Sequence, residues 1–380
     1  MNSRPVPSRE PALVLGAGLM GRLLALSLAR AGHSVRLVEA GHPDGSGSAA
    51  WVAAAMLAPL AESAITEPSV VEMGRYALTR WPELIAGLTR PVFFQRNGTL
   101  IVWHRQDAHE ARRFAGLLEQ TGHAVPELPR PQELDGRTLA ELEPALAQRF
   151  HQGLYLPQEG QLDNRQLLRS LGDSLAENGV VIEAQIGLTL DQALAWQQRE
   201  GGWVLDCRGL GSRAEWKVPA QSLRGVRGEV ARIHAPDVTL QRPTRLLHPR
   251  YPIYIAPKED HVFVIGATEI ESDDLSPASV RSTLELLSAA YAVHPGFGEG
   301  RILELLTQCR PTLADNLPAV HEVEPRVLQV NGLYRHGFMI SPAMLDAVLE
   351  WIWQGRTTLA DQLKLRFTTL NAPQATPCES

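Results

Sequence analysis

The chain has 380 residues, 44% hydrophobic and 21% charged, enough apolar material for a large core divided between two intertwined domains. A formal net charge of −6 gives no electrostatic support for a nucleic-acid partner, and three cysteines (Cys207, Cys309, Cys378) are too few and too scattered for a disulfide framework or a zinc site. No uninterrupted apolar run of about 20 residues is present, so no membrane span is expected. With no secretory signal apparent, a cytoplasmic location is the default expectation.

Residues 1–10 are polar and Pro-rich and read as a disordered lead-in. Residues 11–40 read as a β-α-β unit. Ala12-Leu13-Val14-Leu15 forms a strand and runs into Gly16-Ala17-Gly18-Leu19-Met20-Gly21. A helix follows from about Met20 to Ala31, and Val35-Arg36-Leu37-Val38-Glu39 is the next strand. Each glycine has a reason in this pattern. Gly16 permits a tight turn, Gly18 lets the backbone approach a pyrophosphate, and Gly21 allows the helix to pack closely on the strand. Glu39, 18 residues after Gly21, is placed to accept hydrogen bonds from adenosine ribose hydroxyls and disfavours a 2′-phosphate. The fingerprint by itself does not distinguish FAD from NAD.

Helical spacing recurs over residues 69–90 through Val70, Val71, Met73, Ala77, Leu78 and Trp81. Val92-Phe93-Phe94 and Thr99 to Trp103 flank Arg96-Asn97-Gly98, a hairpin signal. Two helices are expected within 107–149, a short strand at 153–156, a helix over 164–178 and strands at 180–183 and 203–207. Cys207, in the last of these, reads as an inert core thiol. Residues 223–270 carry strand patterns that suggest an antiparallel sheet. A helix is expected over 277–293, a strand at 327–330, and a final helix from about Pro342 to Gln354, with Ser341 as its N-cap and Pro342 at its first position.

Several segments, taken in order, resemble the glycine oxidases, thiamine-pathway members of the D-amino-acid oxidase family. They are Ala53-Ala54-Ala55-Met56-Leu57-Ala58-Pro59-Leu60-Ala61-Glu62, Arg227-Gly228-Glu229-Val230, Tyr254-Ile255-Ala256-Pro257, Ile265-Gly266-Ala267-Thr268, Arg310-Pro311 and Arg335-His336-Gly337-Phe338. The chain departs from the family pattern at Trp51 and Val52, at Ala55 where Gly is usual, at Thr312 where Gly is common, and at His336 where Asn is usual.

The resemblance implies a two-domain α/β fold, in which a Rossmann-like FAD-binding domain is interleaved with an antiparallel-sheet substrate domain, similar to D-amino-acid oxidase and glutathione reductase. Residues 11–90, 150–220 and 300–365 are assigned to the first, and 91–149 and 221–299 to the second. The implied cofactor is FAD, held noncovalently. The implied reaction is oxidation of glycine, sarcosine or a D-amino acid, with dioxygen as electron acceptor. A dehydrogenase with another acceptor and a noncatalytic FAD-binding protein are the alternatives, and a homo-oligomer is left open.

By the same resemblance, Arg310 and Tyr254 would bind the substrate carboxylate, with Arg335, Ala58 and Met56 lining the substrate site. Arg310 could instead be an ion-pair partner of Asp315 or Glu304, and Tyr254 a packed sheet aromatic. Gly16, Gly18, Leu19, Met20, Gly21 and Glu39 would contact the cofactor. So would Ala54, Met56, Leu57 and Gly209, and later Arg335, His336, Gly337, Phe338 and Met339. No general base stands out, which suits direct hydride loss from Cα of the neutral amine.

Overall fold

The structure is a computed structural model that describes residues 9–217 and 221–370. Cys378 and residues 1–8 of the expected lead-in lie outside them; Arg9 and Glu10 already belong to the first strand. Among the described residues no helix is long and apolar enough to cross a membrane.

A seven-stranded sheet is built around Arg9–Leu15. That strand pairs in parallel with His33–Glu39 on one side and Trp203–Asp206 on the other. Ile182–Ala184 extends the first flank and Val327–Asn331 the second, also in parallel. Ala319–Glu324, antiparallel, and Arg366–Thr368 complete that side. Leu13, Val14, Leu37, Val204 and Leu328 are fully buried, as expected of strands covered on both faces. Parallel neighbours need long crossovers, so segments far apart in sequence meet at the sheet centre. The strand order reverses beside Arg9–Leu15, and a crevice opens at the carboxyl ends of such strands.

The second unit is an eight-stranded sheet, antiparallel apart from the parallel pairing of Thr244–Leu247 with Thr99–Trp103. Its long strand Arg224–His234 pairs antiparallel with Val262–Gly266 and with Arg301–Thr312. Two segments therefore leave the unit to which sequence blocks assigned them. Gln152–Leu156 pairs with Thr99–Trp103, and Arg301–Thr312 forms an edge of this sheet. Strand membership is decided by which hydrogen-bonding edge is free, and block boundaries do not carry that information.

The expected hairpin around Asn97-Gly98 does not form. Phe94–Gln95 pairs with Gly160–Leu162 in a small three-stranded sheet, while Thr99–Trp103 enters the large one. Gly98 has φ +81, and a Cβ there would lie 2.2 Å from the Tyr155 ring. The glycine turns the chain between two sheets beneath an aromatic side chain.

Most helices lie where periodicity puts them, at Leu19–Arg30, Pro68–Ala86, Asn164–Glu177 and Val280–Val293. Leu190–Glu200 was not expected, although its capping box, Thr189 with Gln192, is legible in the sequence. The last helix corrects an expectation. It spans Gly337–Gln354, His336 is its N-cap, and Pro342 lies inside it. Pro342 cannot donate to the Phe338 carbonyl one turn earlier. The buried Trp81 indole N–H donates to that oxygen instead, at 2.8 Å. A helix from another part of the chain thus satisfies the group that proline orphans. Ser341, no longer a cap, has a buried hydroxyl without a hydrogen-bond partner.

Trp81→Phe keeps an aromatic ring but leaves the Phe338 carbonyl unsatisfied. The variant is expected to lose about 1–3 kcal/mol of stability, measured by urea unfolding; unchanged stability would show that this bond does not sustain the helix.

Candidate active site

A cavity of about 1150 Å3 runs from the carboxyl ends of the parallel strands to the face of the eight-stranded sheet. At its nucleotide end stand Gly16, Gly18, Leu19, Met20 and Glu39. Gly16 has φ +90, and a Cβ there would sit 2.8 Å from the Cys207 carbonyl oxygen, so only glycine fits. A Cβ on Gly18 would meet only Ser48, at 3.8 Å. The absence of a side chain at Gly18 therefore leaves room for a ligand. Gly18 is also the N-cap of Leu19–Arg30 and supplies no side-chain cap, so the first-turn N–H groups remain available to an anion. Glu39 accepts from the N–H groups of Ala17 (2.6 Å) and Gly41 (2.8 Å), which fixes its carboxylate at the cavity wall. Gly21 does not line the cavity. A Cβ on it would lie 1.8 Å from the Gly16 oxygen, so its role is to let helix and turn touch. These features fit the ADP half of a dinucleotide.

The middle of the cavity is walled by Ala54, Met56 and Gly209 on one side and by residues 335–339 on the other. The start of Gly337–Gln354 borders it, with no side chain capping the helix. Its N-terminal partial positive charge favours an anionic group at that point. Leu57, expected to contact the cofactor, does not line the cavity; it is 1% exposed in the core beneath the nucleotide sheet. Strand alternation explains this, because Met56 and Leu57 point to opposite faces.

The Ala-rich segment is tied down from below. The buried Lys258 ammonium donates to the carbonyls of Ala54 (2.9 Å) and Leu162 (2.8 Å) and to Gln161 Oε1 (3.0 Å). Burial lowers its pKa to about 7. Ala55 has φ +52, a left-handed conformation that suits the glycine usual at that position and strains alanine. Trp51 has a packing role, since the Arg165 guanidinium lies 4.4 Å over its ring.

At the far end lie Arg310, Tyr254 and Ala58. The Arg310 guanidinium donates to the carbonyls of Arg227 (3.3 Å) and Thr268 (3.2 and 3.3 Å). It has no carboxylate partner among the described residues. The acids that might have held it are engaged elsewhere: Glu304 with Arg165 and Asp315 with Arg366. A Cβ on Gly228 would lie 2.6 Å from Arg310 Nη2, so this glycine makes the space for the guanidinium. Likewise Gly266, the cross-strand neighbour of Tyr254, leaves room for its ring; a Cβ there would stand 2.4 Å from the hydroxyl. Burial raises the Tyr254 phenol above its ordinary value, opposed first by Arg310, then Arg335 and Arg245. Thr312, where glycine is common, is buried and donates its hydroxyl to the Arg310 carbonyl at 2.9 Å.

Sequence reasoning missed a charged cluster beside these groups. Glu62 is 6% exposed and faces Arg245 at 2.6 Å, Arg335 at 3.2 Å and His336 at 3.5 Å. Burial alone would raise its carboxyl, but the Arg335 and Arg245 guanidinium groups outweigh burial and hold it well below the usual carboxylate range. His336 is pushed down to about 4, chiefly by burial, so it is neutral at pH 7. Arg335 also meets Glu269 at 2.9 Å, and the Tyr334 hydroxyl donates to the same carboxylate at 2.5 Å. Glu62 ends the quoted Ala-rich motif, and a carboxylate directly after an apolar run is the one sequence signal that pointed here. Its partners come from distant strands and turns.

Glu159, fully buried nearby, accepts from the Ala61 N–H at 2.7 Å and is raised from 4.5 to about 7, chiefly by burial. The folded chain therefore binds this proton more tightly than the unfolded chain. Its contribution to stability is complete below about 4.5 and is lost as pH rises through about 7. Glu159→Gln cannot ionise and is expected to gain stability relative to the parent across that interval, by about 1–3 kcal/mol. Urea titrations at each pH check this, and parallel pH profiles would refute it.

Residues 12–351 match the family DAO, FAD dependent oxidoreductase. The chain is 41% identical over 336 residues to a Rhizobium etli protein provisionally named thiamine biosynthesis oxidoreductase ThiO, covering 88% of this chain and 94% of that one. It is 25% identical to a bifunctional protein ThiO/ThiG of Nostoc, where the match covers 90% of this chain and 52% of the longer relative. In structure it resembles glycine oxidase from Geobacillus kaustophilus, with TM-score 0.72, 23% identity, and coverage of 90% and 94% of the two chains. It also resembles an iminodiacetate oxidase from Chelativorans, with TM-score 0.75, 18% identity, and coverage of 94% and 99%. With a family match over residues 12–351 that includes every residue lining the cavity, the chain belongs to the DAO family of FAD-dependent oxidoreductases.

Proposed function

We propose that this oxidoreductase deaminates a small amino acid, glycine in the first instance, with sarcosine and D-amino acids as the wider class. The observation that carries the reading is Arg310, a cation without a carboxylate partner among the described residues, in a cavity that begins at a dinucleotide fingerprint. The relatives named for ThiO and for glycine oxidase support the same substrate and a place in thiamine biosynthesis.

FAD, when bound, supplies a two-electron acceptor for the Cα hydride, with dioxygen as final acceptor. The residues expected to hold it, noncovalently, are the Gly16–Met20 turn, Glu39, Ala54, Met56, Gly209 and the start of Gly337–Gln354. Arg310 would take the substrate carboxylate through its planar fork, and the Tyr254 hydroxyl would donate a second bond to it. These two contacts fix the amino acid and aim Cα back along the cavity, so that positioning carries much of the rate. Ala58 and Met56 present apolar surface to the cavity, which favours the neutral amine over the ammonium. His336 is engaged by Glu62 and Thr66 and is already neutral, so it holds structure and is not required as a base. The imine product takes up water to give the oxo acid and ammonia, and dioxygen leaves as hydrogen peroxide.

Anaerobic addition of glycine, sarcosine or D-alanine to the purified yellow protein should bleach its flavin absorbance, and air should restore it. Arg310→Met is expected to lower kcat/KM by roughly 100-fold or more, and Tyr254→Phe by about 10-fold, mostly through KM. A flavin spectrum that no amino acid bleaches would sink the reading, and slow recovery in air would point to a different electron acceptor.

A further inference from the structure

Charges around Tyr254 are unevenly shared. Three arginines, Arg310, Arg335 and Arg245, influence its hydroxyl, and two of them are taken. Arg245 faces Glu62 at 2.6 Å. Arg335 uses both edges of its guanidinium, Nε toward Glu62 at 3.2 Å and Nη1 toward Glu269 at 2.9 Å. The Glu269 carboxylate is itself steadied by the Tyr334 hydroxyl at 2.5 Å. Of the three, Arg310 alone is held only by backbone carbonyls among the described residues. The other arginines at the mouth, Arg113, Arg250 and Arg281, are exposed to solvent, where screening weakens them.

We infer that Glu269 is a specificity-determining residue: by occupying Arg335, it leaves Arg310 as the single inner cation for a carboxylate and confines the site to monocarboxylate amino acids. The inference rests on the carboxylate role proposed for Arg310. Glu269 and Arg335 both line the cavity, and Glu269 is about half exposed, its side chain at 49%, so it belongs to the solvent side of the site. Without it, the Nη edge of Arg335 would face the cavity unpaired. A ligand with a carboxylate at each end could then engage Arg310 and Arg335 together. With Glu269 in place, the second carboxylate of such a ligand meets a like charge and is rejected. Glu62 does not play this part, because it is buried and shared by three partners.

The test compares FAD-loaded parent, Glu269→Gln and Glu269→Ala by calorimetric titration with acids that cannot be oxidised: acetate as the monocarboxylate, and malonate, succinate and glutarate as dicarboxylates. The measured quantity is the ratio of the best dicarboxylate affinity to the acetate affinity. That ratio should rise about 10-fold or more in both variants. It should return to the parent value in the double variant Glu269→Gln, Arg335→Gln. Thermal unfolding confirms that each protein is folded, and the half-exposed position makes loss of fold unexpected. An unchanged ratio, with acetate binding still dependent on Arg310, would overturn the inference and leave the proposed function standing. A rise that survives in the double variant would overturn it too, because Arg335 would not be the group released. If Arg310→Met leaves acetate binding unaltered in the parent background, the carboxylate reading itself fails, and this inference fails with it.

Discussion

The buried carboxylate of Glu62 is the constraint around which the reactive end of the cavity is arranged. An ionised acid in an apolar interior is costly unless it is paired and hydrogen-bonded. Here Arg245 arrives on a strand of the large sheet, and Arg335 and His336 arrive from the turn that opens the last long helix. Both domains are thereby drawn to one charge. The cluster uses its positive charge internally, so of the three arginines around Tyr254 only Arg310 lacks a carboxylate partner among the described residues. The same cluster explains why His336, an apparent departure from the family pattern, is not a stray base. It is buried, neutral and engaged as part of the wall.

The two ends of the cavity use different physics. The nucleotide end depends on the backbone: a left-handed glycine at Gly16, an open position at Gly18, and helix N–H groups without a side-chain cap. Side chains at these positions would obstruct the site. The substrate end depends on side chains set against missing ones. Arg310 lies over Gly228 and Tyr254 over Gly266, so two strand glycines, which weaken a sheet, are retained where a functional group must lie flat on it. Between the two ends the helix Gly337–Gln354 begins, and Trp81 holds its proline-interrupted first turns in register.

Local patterns explain what could be read early. The β-α-β fingerprint, most helices and the antiparallel character of residues 223–270 follow from periodicity, glycine placement and caps, all of which act over a few residues. Readings failed where the deciding partner was remote. Asn97-Gly98 has hairpin chemistry, but the strands on either side found different sheets. Ser341-Pro342 has cap chemistry, but a tryptophan supplied the missing donor and the helix began four residues before Ser341, at Gly337. Leu57 and Gly21 belong to motifs that border the cavity, yet strand alternation and close helix contact turn them away from it.

By itself the sequence determined the dinucleotide-binding unit and the kinds of group a substrate site would need, because those depend on residue type and short spacing. It could not determine which of the arginines around Tyr254 lacks a carboxylate partner among the described residues. That depends on how Arg165, Arg245, Arg335 and Arg366 are matched with Glu304, Glu62, Glu269 and Asp315, and most of these pairs join segments far apart in the chain. Only the tertiary structure decided that matching, because charge compensation depends on distance in space and burial, and neither is written in local order.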